Sequence, residues 1–186
     1  MAQQLFPDFH VIIVPGLHDS SAGHWQWLWH RRHPEFSRVR QDNFDDPQLT
    51  TWAARLNQVR ARDPRPALLI AHSFGALTCV HAIARDGANI AGALLVAPAD
   101  PDKFGVASRL PALALPCPSI VVASSNDPWM QAEHAAQWAG RWGSELVDAG
   151  PLGHINAESG LGQWPGGILI LHRLAQRAHN SLAIPA

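Results

Sequence analysis

Cysteine is scarce. The 186 residues hold two, Cys79 and Cys117, which leaves no disulfide framework. Cys79 lies inside an apolar run of helical length, where a reduced thiol behaves as a small core side chain. An excess of one charge is also lacking: 14 Lys and Arg oppose 15 Asp and Glu, with no like-charge block. Neither a nucleic-acid groove nor a polybasic membrane patch is indicated. No apolar run approaches membrane-spanning length, and residues 1–8 lack the basic and apolar regions of a leader. There is no internal repeat and no low-complexity segment. These absences point to a soluble, cytoplasmic protein with a small or uncharged partner, no nucleic acid and no membrane. A hydrophobic content of 47% in this length suits one sizeable core, hence a single domain over residues 1–186.

What is present is a series of apolar runs of strand length. Residues 9–14 are β-branched and apolar on both faces, as an interior parallel strand would be, and stop at Pro15-Gly16. Residues 66–71 form another such run. It ends at Ser73, and the longer apolar stretch beyond it, carrying Leu77, Val80, Ile83 and Ala84, predicts a covered helix. Residues 90–96, 119–123 and 145–148 read as three further strands, and 38–43 as a thinner one. A helix is expected over 25–33, closed by Pro34. Another starts with Asp46 as N-cap and Pro47 at the first helical position; it buries Leu49, Trp52, Ala53, Leu56 and Val59 and shows Arg55, Gln58 and Arg62 to water. A third carries Ala132, Ala135, Ala136 and Ala139. The last, over 167–177, has Ile168, Leu171, Leu174 and Ala175 on one side. The aperiodic segment between Asp100 and Cys117 is expected to act as a reduced lid. Strands alternating with helices of this length predict an α/β protein: a doubly wound, mostly parallel sheet of about six strands with helices on both faces.

Ligand sites in such sheets form beyond the carboxyl ends of the strands. Ser73, Asp127 and His154 all fall there. A serine between strand and helix is the layout of a nucleophile elbow, which needs small residues two places to either side. Gly75 meets that need, and Ala71 stands where the G-x-S-x-G pattern has its first glycine. The chain order Ser, Asp, His is that of the α/β-hydrolases. An alcohol is a weak nucleophile, so Ser73 needs His154 to take its proton during attack and return it to the leaving group. Asp127 would fix the imidazole tautomer and stabilise its positive form, and the backbone N–H groups of Leu17 and Phe74 stand where oxyanion donors are expected.

Each of these residues also has a structural explanation. Asp127 before Pro128 suits a turn or helix cap, Asp100 at the end of the preceding strand is a rival acid, and His154 beside Gly153 suits an ordinary loop histidine. His72 reads as a packed neighbour of the nucleophile. The tryptophans are first of all core and wall residues; Trp129 and Trp164 adjoin the acid and base loops and, with His18, are the candidates for lining a substrate pocket. His18, His24, His30 and His33 raise the question of a metal. Only His30 and His33 share a helix face, and no carboxylate or thiolate completes a set, so no metal and no cofactor are expected.

The segment Gly153-His154-Ile155-Asn156-Ala157-Glu158-Ser159-Gly160-Leu161-Gly162-Gln163-Trp164-Pro165-Gly166-Gly167 resembles the histidine loop of the small serine hydrolases related to retinoblastoma-binding protein nine (YdeN-like), a compact branch of the α/β-hydrolases. Pro15-Gly16-Leu17-His18 with Trp25, the elbow Ala71-His72-Ser73-Phe74-Gly75, and Ser125-Asn126-Asp127-Pro128 fit the same family. The resemblance implies a minimal hydrolase without a large cap domain, with Ser73, Asp127 and His154 as a triad acting on small esters or amides. One branch is named for protein binding, so a protein partner is allowed for, but no binding motif is placed here. The chemistry expected is acyl transfer to water through an acyl-enzyme, in a shallow pocket favouring short or aromatic acyl groups. The competing readings are a non-catalytic protein-binding module on the same fold and an acyltransferase using another acceptor.

Overall fold

The computed structural model describes residues 4–183; of the segment read as free of a leader, residues 1–3 lie outside that range. Its strands are β1 (His10–Val14), β2 (Ser37–Arg38), β3 (Ala67–His72), β4 (Ile90–Val96), β5 (Ser119–Ala123) and β6 (Glu145–Asp148). They form one sheet in the order β2-β1-β3-β4-β5-β6, and every neighbouring pair is parallel. The helices are α1 (Trp25–Arg32), α2 (Leu49–Arg60), α3 (Phe74–Arg85), α4 (Ala132–Trp142) and α5 (Pro165–Leu182).

The two-residue period of the strands divides the core. Ile12, Leu69, Leu95 and Val121 point into a cluster shared with α2, α3 and α4. Ile13, Ile70, Leu94 and Val122 point the other way, into a cluster shared with α1 and α5. Each buried Leu, Ile or Val contributes about 1.5–3 kcal/mol relative to exposure. Strands with no polar face are therefore stable here, between two helical layers.

Several boundaries differ from the expectation. The strand expected over 38–43 is β2 alone: Val39 N–H still reaches Ile13 O at 2.9 Å, then Asn43 Oδ1 accepts the Asp45 N–H and the chain turns away. α2 begins at Leu49, with Gln48 as an extended N-cap, because the Asp46 carbonyl is already taken by Gln48 N–H and by the Trp52 indole N–H. Its buried stripe is the expected one, although Arg55 is half-buried against Asp42. Ala84 is exposed near the end of α3. α5 extends past both expected ends, starting with Pro165 at its first turn.

The segment between Asp100 and Cys117 is fastened down. Val106, Leu110 and Leu115 are buried, the His81 ring donates to Arg109 O at 3.2 Å, and Leu115 N–H reaches Trp142 O. It forms a fixed cover on α3 and α4.

The start of α1 ties the sheet to the site. His24 caps the helix, its Nδ1 accepting the Gln26 N–H at 3.1 Å. The buried Gln26 amide then donates to Val14 O and Ile70 O at the ends of two adjacent strands. His24 and His72 meet edge to face at 4.7 Å. Burial, with positive neighbours adding to it, pushes His24 down to about 3 and His72 well below the ordinary imidazole range. His10, His30 and His81 shift the same way for the same first cause.

Two predictions follow from this packing. A Cβ on Gly75 would collide with the backbone carbonyls of Val14 and Pro15, whereas one on Gly140, inside α4, meets nothing within 4 Å. Gly75→Ala should destabilise by about 1–3 kcal/mol and Gly140→Ala should stabilise by about 0.5–1 kcal/mol, as read by urea unfolding; the reverse order would contradict the packing. The buried histidines are bases held neutral in the fold, while the unfolded chain takes up protons near an ordinary value of about 6.5. Stability is thus complete above that range and falls as pH drops below it, by up to about 1.4 kcal/mol per pH unit for each of His24 and His72. Unfolding midpoints that stay level between about pH 7 and about pH 5 would contradict it.

Candidate active site

The turn joining β3 to α3 places Ser73 at φ 54°, ψ −124°, a backbone that L-residues avoid at a cost of about 1–3 kcal/mol. The strand behind it and the helix ahead hold it there: Ser73 N–H bonds Val96 O, and Ala76 N–H bonds Ser73 O. The turn projects the hydroxyl from the carboxyl edge of the sheet, at the positive end of the α3 dipole.

Two other loops reach the same edge, one after β5 and one after β6. His154 Nε2 lies 3.0 Å from Ser73 Oγ, and His154 Nδ1 lies 2.8 and 3.0 Å from the two oxygens of Asp127. A carboxylate only accepts, so Nδ1 carries the ring proton and Nε2 is left to accept from the serine. The Asp127 side chain is 2% exposed and that of His154 11%. Asp127 Oδ1 also accepts the Trp129 N–H at 2.9 Å, so the buried carboxylate is held from two sides, as a buried charge must be.

The loop carrying His154 is held by residues whose signal in the sequence is weaker. Asn126 Oδ1 accepts the Gly153 N–H at 2.7 Å and the Ser124 hydroxyl at 3.0 Å, while Ser124 Oγ accepts the Leu152 N–H at 2.9 Å. These bonds lock the base loop to the acid loop. On the other side, His72 Nε2–H donates to the His154 carbonyl at 2.9 Å, so the packed neighbour of the serine also positions the imidazole's backbone. Trp25 and Trp29, one turn apart on α1, donate their indole N–H groups to Ile155 O and Gln163 O. Ile155 has φ 47°, unusual for a β-branched residue, and its carbonyl is the one that Trp25 grips. Serine and asparagine after a strand are read as breakers; their partners in the base loop lie 27 and 28 residues on and leave no local trace.

Gly16 brings the β1 loop against the elbow. A Cβ there would lie 2.7 Å from Ser73 Cβ and 2.9 Å from His72 O, so bare backbone is required. The N–H of Leu17, the next residue, and that of Phe74, first in α3, have no acceptor among the described residues.

The other candidates are dispersed. Asp100, the rival acid, faces His134 at 3.4 Å. His18 is exposed and paired with Asp45. Trp164 is corrected: it is 6% exposed and packed on Trp25 and Trp29, because bare Gly167 lets its ring fold over the start of α5. Trp129 is 60% exposed and lines an open cavity of about 300 Å³ that has His154, Glu158 and Leu152 in its wall. No described helix is long and apolar enough to cross a membrane.

Comparison with known proteins places this geometry. No match was found among curated proteins. The profile of the serine hydrolase family matches residues 11–173. A crystal structure of a YdeN-like hydrolase from Pectobacterium atrosepticum is 41% identical over 96% of this chain and 94% of its own, with a TM-score of 0.87. The ydeN gene product of B. subtilis is 19% identical, covering 89% of this chain and 98% of its own, with a TM-score of 0.72. Est1E of Butyrivibrio proteoclasticus, solved with ferulic acid bound, is 13% identical over 94% of this chain and 89% of its own, with a TM-score of 0.65. These last two share the α/β-hydrolase fold. With the family profile covering most of its length and a hydrolase relative well above chance identity, the chain belongs to the serine hydrolase family.

Proposed function

We propose that this hydrolase cleaves small esters, and amides more slowly, through an acyl-enzyme on Ser73. The observation that carries the proposal is the unbroken hydrogen-bonded chain from Ser73 Oγ through His154 to Asp127, assembled from three separate loops. In the first half-reaction Ser73 Oγ attacks the carbonyl carbon while its proton passes to His154 Nε2. The negative charge on the carbonyl oxygen falls to the Leu17 and Phe74 N–H groups, each worth about 3–4 kcal/mol in such a role. The bond to the leaving group then breaks, and that group departs with the proton from His154. In the second half, water gives a proton to His154 and attacks the acyl carbon, and the proton returns to Ser73 Oγ as the acid leaves. Asp127 holds the imidazole in the required tautomer throughout and balances its positive form. The open cavity of about 300 Å³ suits short or aromatic groups, and small-molecule substrates accord with the family.

Hydrolysis of 4-nitrophenyl acetate and butyrate, followed in the wild type and three variants, tests this. Ser73→Ala and His154→Gln should each lose at least about 10³-fold in kcat with little change in KM, and Asp127→Asn about 10⁴-fold, through the wrong tautomer. Wild-type rates in Ser73→Ala would end the proposal.

A further inference from the structure

Glu158 and Trp129 face the cavity beside His154 and are explained by neither the core nor the proton chain. Glu158 is exposed and has no cationic partner among the described residues. Its backbone is fixed: it sits in a short turn whose start is closed by reciprocal bonds, Asn156 Oδ1 accepting the Glu158 N–H and Ser159 Oγ accepting the Asn156 N–H. Trp129 is likewise held by its main chain, through its N–H to Asp127 Oδ1 and through its carbonyl, which accepts from Lys103 Nζ at 2.7 Å. Yet Trp129 is 60% exposed, while Trp25, Trp29, Trp52, Trp138, Trp142 and Trp164 are buried and Trp27 is half-buried. An aromatic ring kept in water and a carboxylate without a counter-ion share one small cavity.

The remaining charges near that cavity are accounted for. Asp127 is buried and bonded to His154 and Trp129 N–H. The Lys103 ammonium lies on the Trp129 carbonyl and outside the cavity wall. No Lys or Arg lines the cavity, so its fixed charge is the single negative one of Glu158. An indole and a carboxylate lining one cavity are the groups that recognise an ammonium or quaternary ammonium ion. The side of the site is also defined. His154 lies in this wall and Ser73 does not; in the proposed mechanism His154 protonates the departing oxygen as the acyl C–O bond breaks, so a cavity on the base's side of the site would take the leaving group. From this we infer that the preferred substrates are esters whose leaving alcohol carries a positive charge. The inference rests on the hydrolase mechanism proposed above and goes further by naming the charge of the alcohol.

Choline butyrate and 3,3-dimethylbutyl butyrate test it, since their alcohols have the same shape and differ in charge. The wild type should favour the choline ester in kcat/KM by about tenfold, the combined effect of one cation–π contact and one exposed ion pair. Glu158→Gln should lower that ratio about threefold, leaving the cation–π part, and Glu158→Lys should lower it further. A ratio cancels any general loss of folded or active protein. Titration of tetraethylammonium into Ser73→Ala protein reads the same site without turnover, and its affinity should fall about threefold when Glu158→Gln is added. Equal rates for the two esters together with no ammonium binding would overturn the inference and leave the hydrolase mechanism standing. Glu158-dependent ammonium binding with neither ester cleaved would do the opposite. A choline preference unchanged in Glu158→Gln would overturn the assignment to this residue.

Discussion

The backbone of Ser73 is the constraint on which the rest of the structure depends. A residue with φ 54° and ψ −124° does not hold that conformation alone; it is held because β3 is sealed into the centre of a parallel sheet and α3 is buried along most of its length. The two close approaches that let the loop after β1 lie on the elbow, at Gly16 and Gly75, are part of the same constraint. Between them they bring the Leu17 and Phe74 amides beside the serine. Strain at Ser73 is offset by a core whose four central strands have no wet face.

His154 is positioned differently. His154 sits in a long loop without regular structure, and its place is set by a ring of side chains outside that loop. His72 and Trp25 grip the carbonyls of His154 and Ile155, and Asn126 and Ser124 grip the amides before them. Asp127 shares its segment with Asn126, so the residues that fix the loop also fix the distance from carboxylate to imidazole. His72 is next to the nucleophile in sequence and bonded to the base in space; burial keeps it neutral, with Nε2–H free to donate. The serine, the imidazole and the carboxylate are in this sense supported by a second, hidden set of polar contacts as specific as their own.

Much of this was legible beforehand because it is periodic or local. The strands Ile90–Val96, Ser119–Ala123 and Glu145–Asp148 are bounded by residues that cannot continue them, and the small-residue rule around Ser73 is a local steric one. The start of α2 was not legible, since a distant indole, that of Trp52, competes for the Asp46 carbonyl. Proximity in sequence to His154 makes Trp164 a pocket candidate, but Gly167 allows it to turn inward onto two other tryptophans. The clamps from Ser124, Asn126 and α1 escaped for a related reason: their partners in the base loop are 27 to 134 residues away, beyond any local pattern. Sequence thus revealed which chemical groups stand at the sheet edge, while the contacts that hold them there emerged only with the fold.

The most direct test of the central claim is covalent. Incubation of the native protein with a fluorophosphonate, followed by intact-mass and peptide-mapping mass spectrometry, asks whether the Ser73 hydroxyl is an activated nucleophile. The account predicts a single adduct on the peptide containing Ser73, absent in Ser73→Ala and much slower in His154→Gln. No adduct on native, folded protein, or an adduct at another serine that persists in Ser73→Ala, would contradict it.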